Sequence, residues 1–445
     1  MKNKLWITFI CSFTLLGGAD KVFGNTDIKN SESPQKINLN VSKTQTVEQI
    51  FPDHNLALAV AEKLNIETTD PISINELKIF TNFVTTGLEI ENLEGMQYLE
   101  NLQKLNVGNN KISDLTPLSN LSYLQDLRIS RNKITDLSPI ESLINLQFID
   151  ARDNNISSIS PLVNHKSLTS LYLDNNPITD ISALSSLELL TNLQLSGISA
   201  TDFTPISTLK NLSILYLSNN HLSNLDFMLN LNNVSSLALA ENDITDITNL
   251  SHLNSLRTLN LSNNNISDIS ALNGLDLDIA YLMNNQIDDL TPLSNMEWLK
   301  WLYAGGNQIE DLSPLNSNKI LLQLDMSYNK IKDVSNFDVN KFTGLDTLIL
   351  NGNQISDISS LSKFSGYPGF SAVDQKISLP EVPLGSNFEI KIKDAEDNVP
   401  NLQFLTPGLY VNSLLSWNQS GDNSVTFQSS DLLFSGVITQ FVLSE

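Results

Sequence analysis

The residues that could carry chemistry are few. Four histidines occur, His54, His165, His221 and His252, and no two stand at the His-x-x-x-His spacing that sets two imidazoles on one helical face for a metal. The one cysteine is Cys11. Neither a nucleophile elbow nor a phosphate loop is present. Asp114, Asp136, Asp180, Asp202, Asp246 and Asp268 recur at repeat spacing and could form a calcium ladder. The preferred reading makes them turn and cap residues, each bonding nearby backbone. Around Asp70 the next alternate residues are Ile72 and Ile74, which offer no oxygen to a cation. The expectation is a protein that is not an enzyme and uses no metal or cofactor, so any function lies in binding.

Binding residues need a scaffold, and the chain spells one out. Leu102, Leu124, Leu146, Leu168, Leu190 and Leu212 are each 22 residues apart. Val234 and Leu256 keep the spacing, Leu277 comes one residue early, Leu299 and Leu321 return to it, and Leu345 comes two late. One unit reads Leu102-x-x-Leu105-x-Val107-x-x-Asn110-x-Ile112-x-Asp114-Leu115-x-Pro117-Leu118-x-x-Leu121, and twelve copies follow one another. Such a period marks a leucine-rich repeat solenoid. The alternation around Leu105 and Val107 predicts a half-buried strand, stacked on its neighbours about 4.8 Å apart in a parallel sheet. The asparagine after each strand, from Asn110 to Asn353, predicts a ladder of side-chain amides bonding the backbone of the adjacent coil, broken once by Ile198. An exposed neighbour such as Asn109 is expected to tolerate replacement. Thr116-Pro117, Ser138-Pro139 and their equivalents read as hydroxyl N-caps of one-turn helices, of 3₁₀ or α type, on the opposite face.

In this register the third, fifth, seventh and eighth residues of each unit face out from the sheet. Lys104, Asp126, Arg128, Arg131, Phe148, Asp150, Arg152 and Asp153 face out early in the array. Their alternating signs suit mutual ion pairing. Tyr172, Ile214 and Tyr216 follow, then Ile279, Tyr281, Met283, Trp301, Tyr303 and Tyr328. A sheet face has no structural need for exposed aromatics, and clustered aromatics are the usual anchors of protein interfaces. The partner-binding set is therefore Arg128, Arg152, Tyr172, Tyr216, Ile279, Tyr281, Met283, Trp301, Tyr303 and Tyr328. Tyr281 and Tyr303 should stack about 5 Å apart. Anchoring is expected near Trp301 and charge steering near Arg128. The same aromatics with Asn and Asp would also suit a sugar, which leaves a carbohydrate or cell-wall binder as the alternative.

The ends differ from the array. Residues 1–24 read as a signal peptide: Lys2 and Lys4 precede the apolar run Leu5 to Leu16, too short to span a bilayer. Residues 25–46 are polar and expected to be disordered. Residues 47–101 form a cap, with a helix over Asn55 to Leu64, another starting in Pro71-Ile72-Ser73-Ile74, and a half repeat carrying Ile90, Leu93, Met96 and Leu99. The repeats occupy 102–365, up to a break at Gly366-Tyr367-Pro368-Gly369. Residues 366–445 carry β runs, Ala372 to Leu379, Phe388 to Ile392, Leu409 to Trp417, Ser424 to Gln428 and Gly436 to Leu443, which suit a small β-sandwich.

These features together resemble the internalin family of Gram-positive surface and secreted proteins. The match is carried by the Asn-x-Ile-x-Asp-Ile/Leu-x-Pro-Leu repeat, by Gln49-Ile50-Phe51-Pro52-Asp53 with Leu93-Glu94-Gly95-Met96-Gln97-Tyr98-Leu99, and by Ile377-Ser378-Leu379-Pro380, Leu415-Ser416-Trp417-Asn418 and Gly436-Val437-Ile438-Thr439-Gln440. The resemblance implies an EF-hand-like helical cap, a curved repeat sheet and an Ig-like domain fused into one rod. It also implies a host protein bound on the concave face. No Leu-Pro-x-Thr-Gly motif follows the last module, so the chain looks like the freely secreted class, similar in layout to internalin C but with more repeats.

The formal charge of −23, from 49 acidic and 26 basic residues, repels nucleic acid and anionic lipid. The expected protein is extracellular and monomeric. It engages neither nucleic acid nor membrane, and its partner is a host protein.

Overall fold

A computed structural model describes residues 45–444, and the expected signal peptide lies outside them. The cap begins with β1 (Gln45–Thr46), paired antiparallel with β2 (Pro71–Ile72). Two expectations change here. Residues 45 and 46 are ordered by that pairing, and Pro71–Ile72 is a strand, the next helix starting only after Ser73. Between the strands lie α1 (Val47–Ile50) and α2 (His54–Leu64), and after them α3 (Ile74–Leu77). Helix α2 starts where it does because the Asp53 carboxylate accepts from the Asn55 and Leu56 amides at 3.0 Å each. The other Asp53 oxygen accepts from Glu91 and Asn92, at 2.8 and 3.1 Å. One side chain thus caps a helix and ties it to the first coil. Gly95, at φ +102°, closes that joint, since a Cβ there would run into the Phe51 ring and the Ile50 carbonyl.

The array is a parallel sheet of three-residue strands. They are β3 (Asn82–Val84), β4 (Lys104–Asn106), β5 (Asp126–Arg128), β6 (Phe148–Asp150), β7 (Ser170–Tyr172), β8 (Asn192–Gln194), β9 (Ile214–Tyr216), β10 (Ser236–Ala238), β11 (Thr258–Asn260), β12 (Ile279–Tyr281), β13 (Trp301–Tyr303), β14 (Gln323–Asp325) and β15 (Thr347–Ile349). Each pairs in register with the next, so that Leu105 meets Leu127 and Ala280 meets Leu302. Strand β3 makes the expected half repeat a whole coil. Phe80, Phe83 and Thr85 stand where later units carry Leu102, Leu105 and Val107, and Phe83 pairs with Leu105. Its disguise is that phenylalanine and threonine replace leucine and valine.

The ladder is built as expected. Asn132 Nδ2 donates to the Val107, Ile129 and Ser130 carbonyls at 3.1, 3.0 and 3.2 Å, and its Oδ1 accepts from the Ile112 amide at 2.9 Å. Where Ile198 interrupts it, the Ile178 amide turns to the Asn176 carbonyl of its own coil at 2.8 Å, a local repair. The last rung is not an asparagine: Gln375 Nε2 donates to Leu350 and Ala372, and its Oε1 accepts from Ile355.

Two expectations about the turns need correction. Asn109 is exposed but not indifferent, because its φ is +57°. The same slot is left-handed at Arg131, Asp153, Asn175, Gly197, Asn219, Glu241, Asn263, Asn284, Gly306, Tyr328, Gly352 and Asp374, so it favours Asn, Asp and Gly. The hydroxyls of Thr116, Ser138 and their equivalents are not the caps. They open the 3₁₀ turns, and the side chain two residues earlier accepts their backbone amide, an aspartate in most units, as Asp114 does from Thr116 and Asp246 from Thr248 at 2.8 Å, and Ser158 in the case of Ser160. The Thr248 hydroxyl donates back to Asp246 at 2.6 Å. The repeated aspartates are thus occupied as local turn acceptors. The two extra residues before Leu345 enlarge a turn, where Asp338 caps Val339–Lys341.

The strand that follows the array, β16 (Phe370–Pro383), joins β15 through Phe370 and Ser371 and then runs on into the terminal module. There β17 (Asn387–Glu389), β18 (Asn401–Phe404), β19 (Gly408–Val411), β20 (Leu414–Trp417), β21 (Gly421–Gln428) and β22 (Phe434–Leu443) make two sheets. One contains β16, β22, β21 and β18, the other β17, β20 and β19. Leu415, Trp417, Val425, Phe427, Phe434 and Ile438 are buried in this Ig-like sandwich. The run Leu409 to Trp417 is two strands rather than one. Asn412 and Ser413, both at positive φ, turn it back as a two-residue hairpin. Strand β18, which sequence reading passed over, sits beside β21.

Candidate partner-binding face

Alternation in each three-residue strand sends the middle residue into the core and the flanking two to the open face. Trp301 and Tyr303 of β13 are half-buried on that face, while Leu302 between them is fully buried. Strand β12 repeats the pattern with Ile279 and Tyr281 around Ala280. Register places Ile279 beside Trp301 and Tyr281 beside Tyr303. The two tyrosine rings stack with centroids 4.9 Å apart and planes 3° from parallel, matching the expected spacing. The Tyr303 hydroxyl donates to Gln323 Oε1 at 2.5 Å, which fixes the ring. Met283, two residues after Tyr281 and just past the end of the strand, is half-buried too. The result is a continuous apolar patch with rigid aromatic edges.

A second cluster crosses β5, β6 and β7. Arg128 grips Asp126 through two nitrogens, at 3.0 and 3.2 Å, and its guanidinium lies 4.7 Å from the centre of the Phe148 ring. One strand on, Arg152 grips Asp150 at 2.8 Å twice and lies 5.3 Å over Tyr172. Phe148 and Tyr172 meet edge-to-face at 5.1 Å. Asp150 holds the Arg152 pKa above its ordinary value, the hydrogen bond being the main cause. Asp174 completes the strip, accepting from the Ser196 amide at 2.7 Å, and burial pushes its carboxyl pKa up. Arg131 and Asp153 pair at 3.5 Å. The early arginines are therefore held in carboxylate pairs and stacked on rings, a preorganised mixed surface rather than a patch of free positive charge.

Between the clusters Tyr216 bonds the Ser236 hydroxyl at 3.3 Å, and burial raises its phenol pKa. The tenth strand offers only Ser236 and Ala238, so the face is shallow in side chains there. Tyr328 stands apart from the others at the far end, 61% exposed and left-handed at φ +55°. Sequence reasoning missed Trp298, 55% exposed on the segment entering β13, and Tyr123, 60% exposed before β5. Both sit just before the first leucine of a unit, a slot the repeat pattern treats as polar. Among the described residues no helix is long and apolar enough to cross a membrane.

The family model for Leucine Rich repeats (2 copies) matches residues 100–142, 144–186 and 321–363, and the Leucine Rich repeat model matches 252–272. The solved structure of an internalin (inlF) from Listeria monocytogenes is 34% identical, covers 74% of this chain and 97% of that one, and superposes with a TM-score of 0.69. The functional domain of InlJ from Listeria monocytogenes shares the fold at 22% identity, covering 90% of this chain and 98% of that one with a TM-score of 0.68. That domain includes a cysteine ladder, where the described residues here carry an asparagine ladder. Internalin J of the same species aligns at 27% identity over 109 residues, 24% of this chain and 12% of that protein. With the repeat, the tied-on cap and the Ig-like sandwich all in place, the chain belongs to the internalin family.

Proposed function

We propose that this internalin is a secreted binding protein that engages a host protein through the open strand face of its repeats. The observation that supports this most is the patch of Ile279, Tyr281, Trp301 and Tyr303, flanked by Met283. Stacked rings on half-buried positions lose little conformational freedom on binding and bury large areas, as interface anchors do. The Arg128 and Arg152 strip, with Tyr172 and Tyr216, extends the contact and sets orientation, while Tyr328 faces the terminal module and lies outside it. Because those arginines are already neutralised by Asp126 and Asp150, they serve as shaped hydrogen-bonding edges more than as long-range attractors. Export follows from the charged start and short apolar run of residues 1–24.

The test is affinity capture from host-cell lysate, followed by direct binding of the captured protein to wild type and to folded Trp301→Ala and Tyr303→Ala variants. Trp301→Ala is expected to weaken binding by about 30-fold, the equivalent of about 2 kcal/mol at a hot spot. Unchanged affinity in the double variant would move the site off this patch.

A further inference from the structure

Where the repeat array meets the terminal module there is an open cleft of about 620 Å³. Tyr328 forms one wall. The other is the outer face of β16, β22, β21 and β18, bearing Asn401, Gln403, Thr426, Gln428, Ser435 and Lys376. A volume of this order suits a small ligand.

The wall's chemistry is selective. Asn401 and Gln428 face each other across the β18–β21 pair, and Gln403 lies opposite Thr426. The side chains of Asn401, Gln403 and Gln428 are exposed and hydrogen-bond to no other described residue. Each amide offers two donors and an acceptor, a match for paired hydroxyl groups. One cation, Lys376, and one anion, Asp374, line the cleft, so its net charge is zero. The backbone of β21 is paired on both sides, with β18 and β22, which leaves it no ladder to offer an extended peptide.

Tyr328 is the second, independent observation. Its slot is left-handed, and most other coils fill it with Asn, Asp or Gly. A bulky ring held at φ +55° is strained, and such strain gathers at functional positions. The ring lies over Gly352 of the next coil, where any Cβ would overlap it, so it is held as a platform beside the amides. A flat aromatic face beside uncommitted amides is the arrangement that grips a pyranose, whose C–H face stacks on the ring while its hydroxyls meet the amides.

We propose that the cleft between Tyr328 and the amide-bearing face of β18, β21 and β22 binds a neutral oligosaccharide, at a site separate from the protein-binding patch around Trp301.

The intact protein would be titrated by calorimetry with cellotetraose, maltotetraose and chitotetraose, and with tetragalacturonate as a charged control. Saturable binding to at least one neutral tetrasaccharide is expected, with a Kd below about 1 mM. Tyr328→Gly should weaken it by about tenfold or more, because the platform is lost while the left-handed slot is relieved, as at Gly306. An Asn401→Ala, Gln428→Ala double variant should do the same, and Trp301→Ala should leave it unchanged. Absence of binding by all three neutral sugars would overturn the assignment. So would a preference for tetragalacturonate, full affinity in Tyr328→Gly, or loss of binding in Trp301→Ala.

Discussion

Replacing Asn264 by alanine probes the ladder, and its cost can be worked out atom by atom. Asn264 Oδ1 accepts from the Ile244 amide at 3.0 Å, and Nδ2 donates to the Leu239, Leu261 and Ser262 carbonyls at 2.9, 2.9 and 3.3 Å. The three carbonyls keep other partners. Leu239 retains Asn242, Leu261 retains Asn285, and Ser262 retains the Glu241 amide. Only the Ile244 N–H is orphaned, in a residue with no exposure. One buried unsatisfied amide costs about 1–3 kcal/mol, so a loss of about 2 kcal/mol is expected. Ile198 shows how the cost can be softened, since the Ile178 amide there finds a carbonyl in its own coil. Asn109 supplies the contrast through its left-handed backbone. Asn109→Gly should be close to neutral, whereas Asn109→Ala should cost about 1 kcal/mol. Urea unfolding followed by far-UV circular dichroism measures all three, and a reduced m-value would mark unfolding of part of the array rather than the whole. If Asn264→Ala lies within about 0.5 kcal/mol of wild type, or Asn109→Gly is as damaging, the ladder accounting is wrong.

His165 fills a core slot that Leu121, Leu143, Leu187 and Leu209 fill in other units. Its Nε2 lies 3.1 Å from the Ile140 carbonyl, and its Nδ1 is buried without a partner. Burial holds its pKa below the ordinary 6.5, so the unfolded chain takes up a proton before the folded one does. Stability should be intact above pH 6.5 and fall as pH drops below it, until the lowered folded value is reached. His165→Leu should flatten that part of the pH profile and stabilise by about 1 kcal/mol, since Ile140 keeps the Leu143 amide; a variant with the wild-type profile would clear His165 of the effect. Asp202 and Asp246 are held below 3.8 chiefly by the Thr204 and Thr248 hydroxyls. Their contribution is present above pH 3.8 and lost as pH falls through the lower folded values, so Thr248→Ala should move the acid-unfolding midpoint upward. Removing the pair together, Arg128→Ala with Asp126→Ala, should leave the partner's association rate and its salt dependence close to wild type, because the two charges already cancel; a clear drop in rate and in salt dependence in the double variant would restore a steering role.

The sequence alone determined the solenoid, because a 22-residue period admits one solution: stacked coils, apolar residues inward and an amide bonding each coil to the next. The identity of the outward residues followed from strand alternation, and so did the stacking of Tyr281 on Tyr303. Other features were illegible for physical reasons. The first coil hid behind Phe80 and Phe83, since the core accepts any apolar side chain of suitable volume. The last rung hid behind Gln375, because what the backbone requires is an amide at the right distance, and glutamine in β16 supplies it. Left-handed backbone at Asn109 or Tyr328 leaves only a weak compositional trace, diluted by Arg131 and Glu241. The pairing of Arg128 with Asp126 and its position over Phe148 depend on rotamers chosen against a neighbouring strand. The cleft at Tyr328 needed tertiary structure altogether. Its walls come from residues far apart in the chain, brought together only because β16 serves both as the strand after the last repeat and as a strand of the sandwich. Spacing in sequence records what each coil asks of its neighbour; it does not record what faces what across a junction between two different folds.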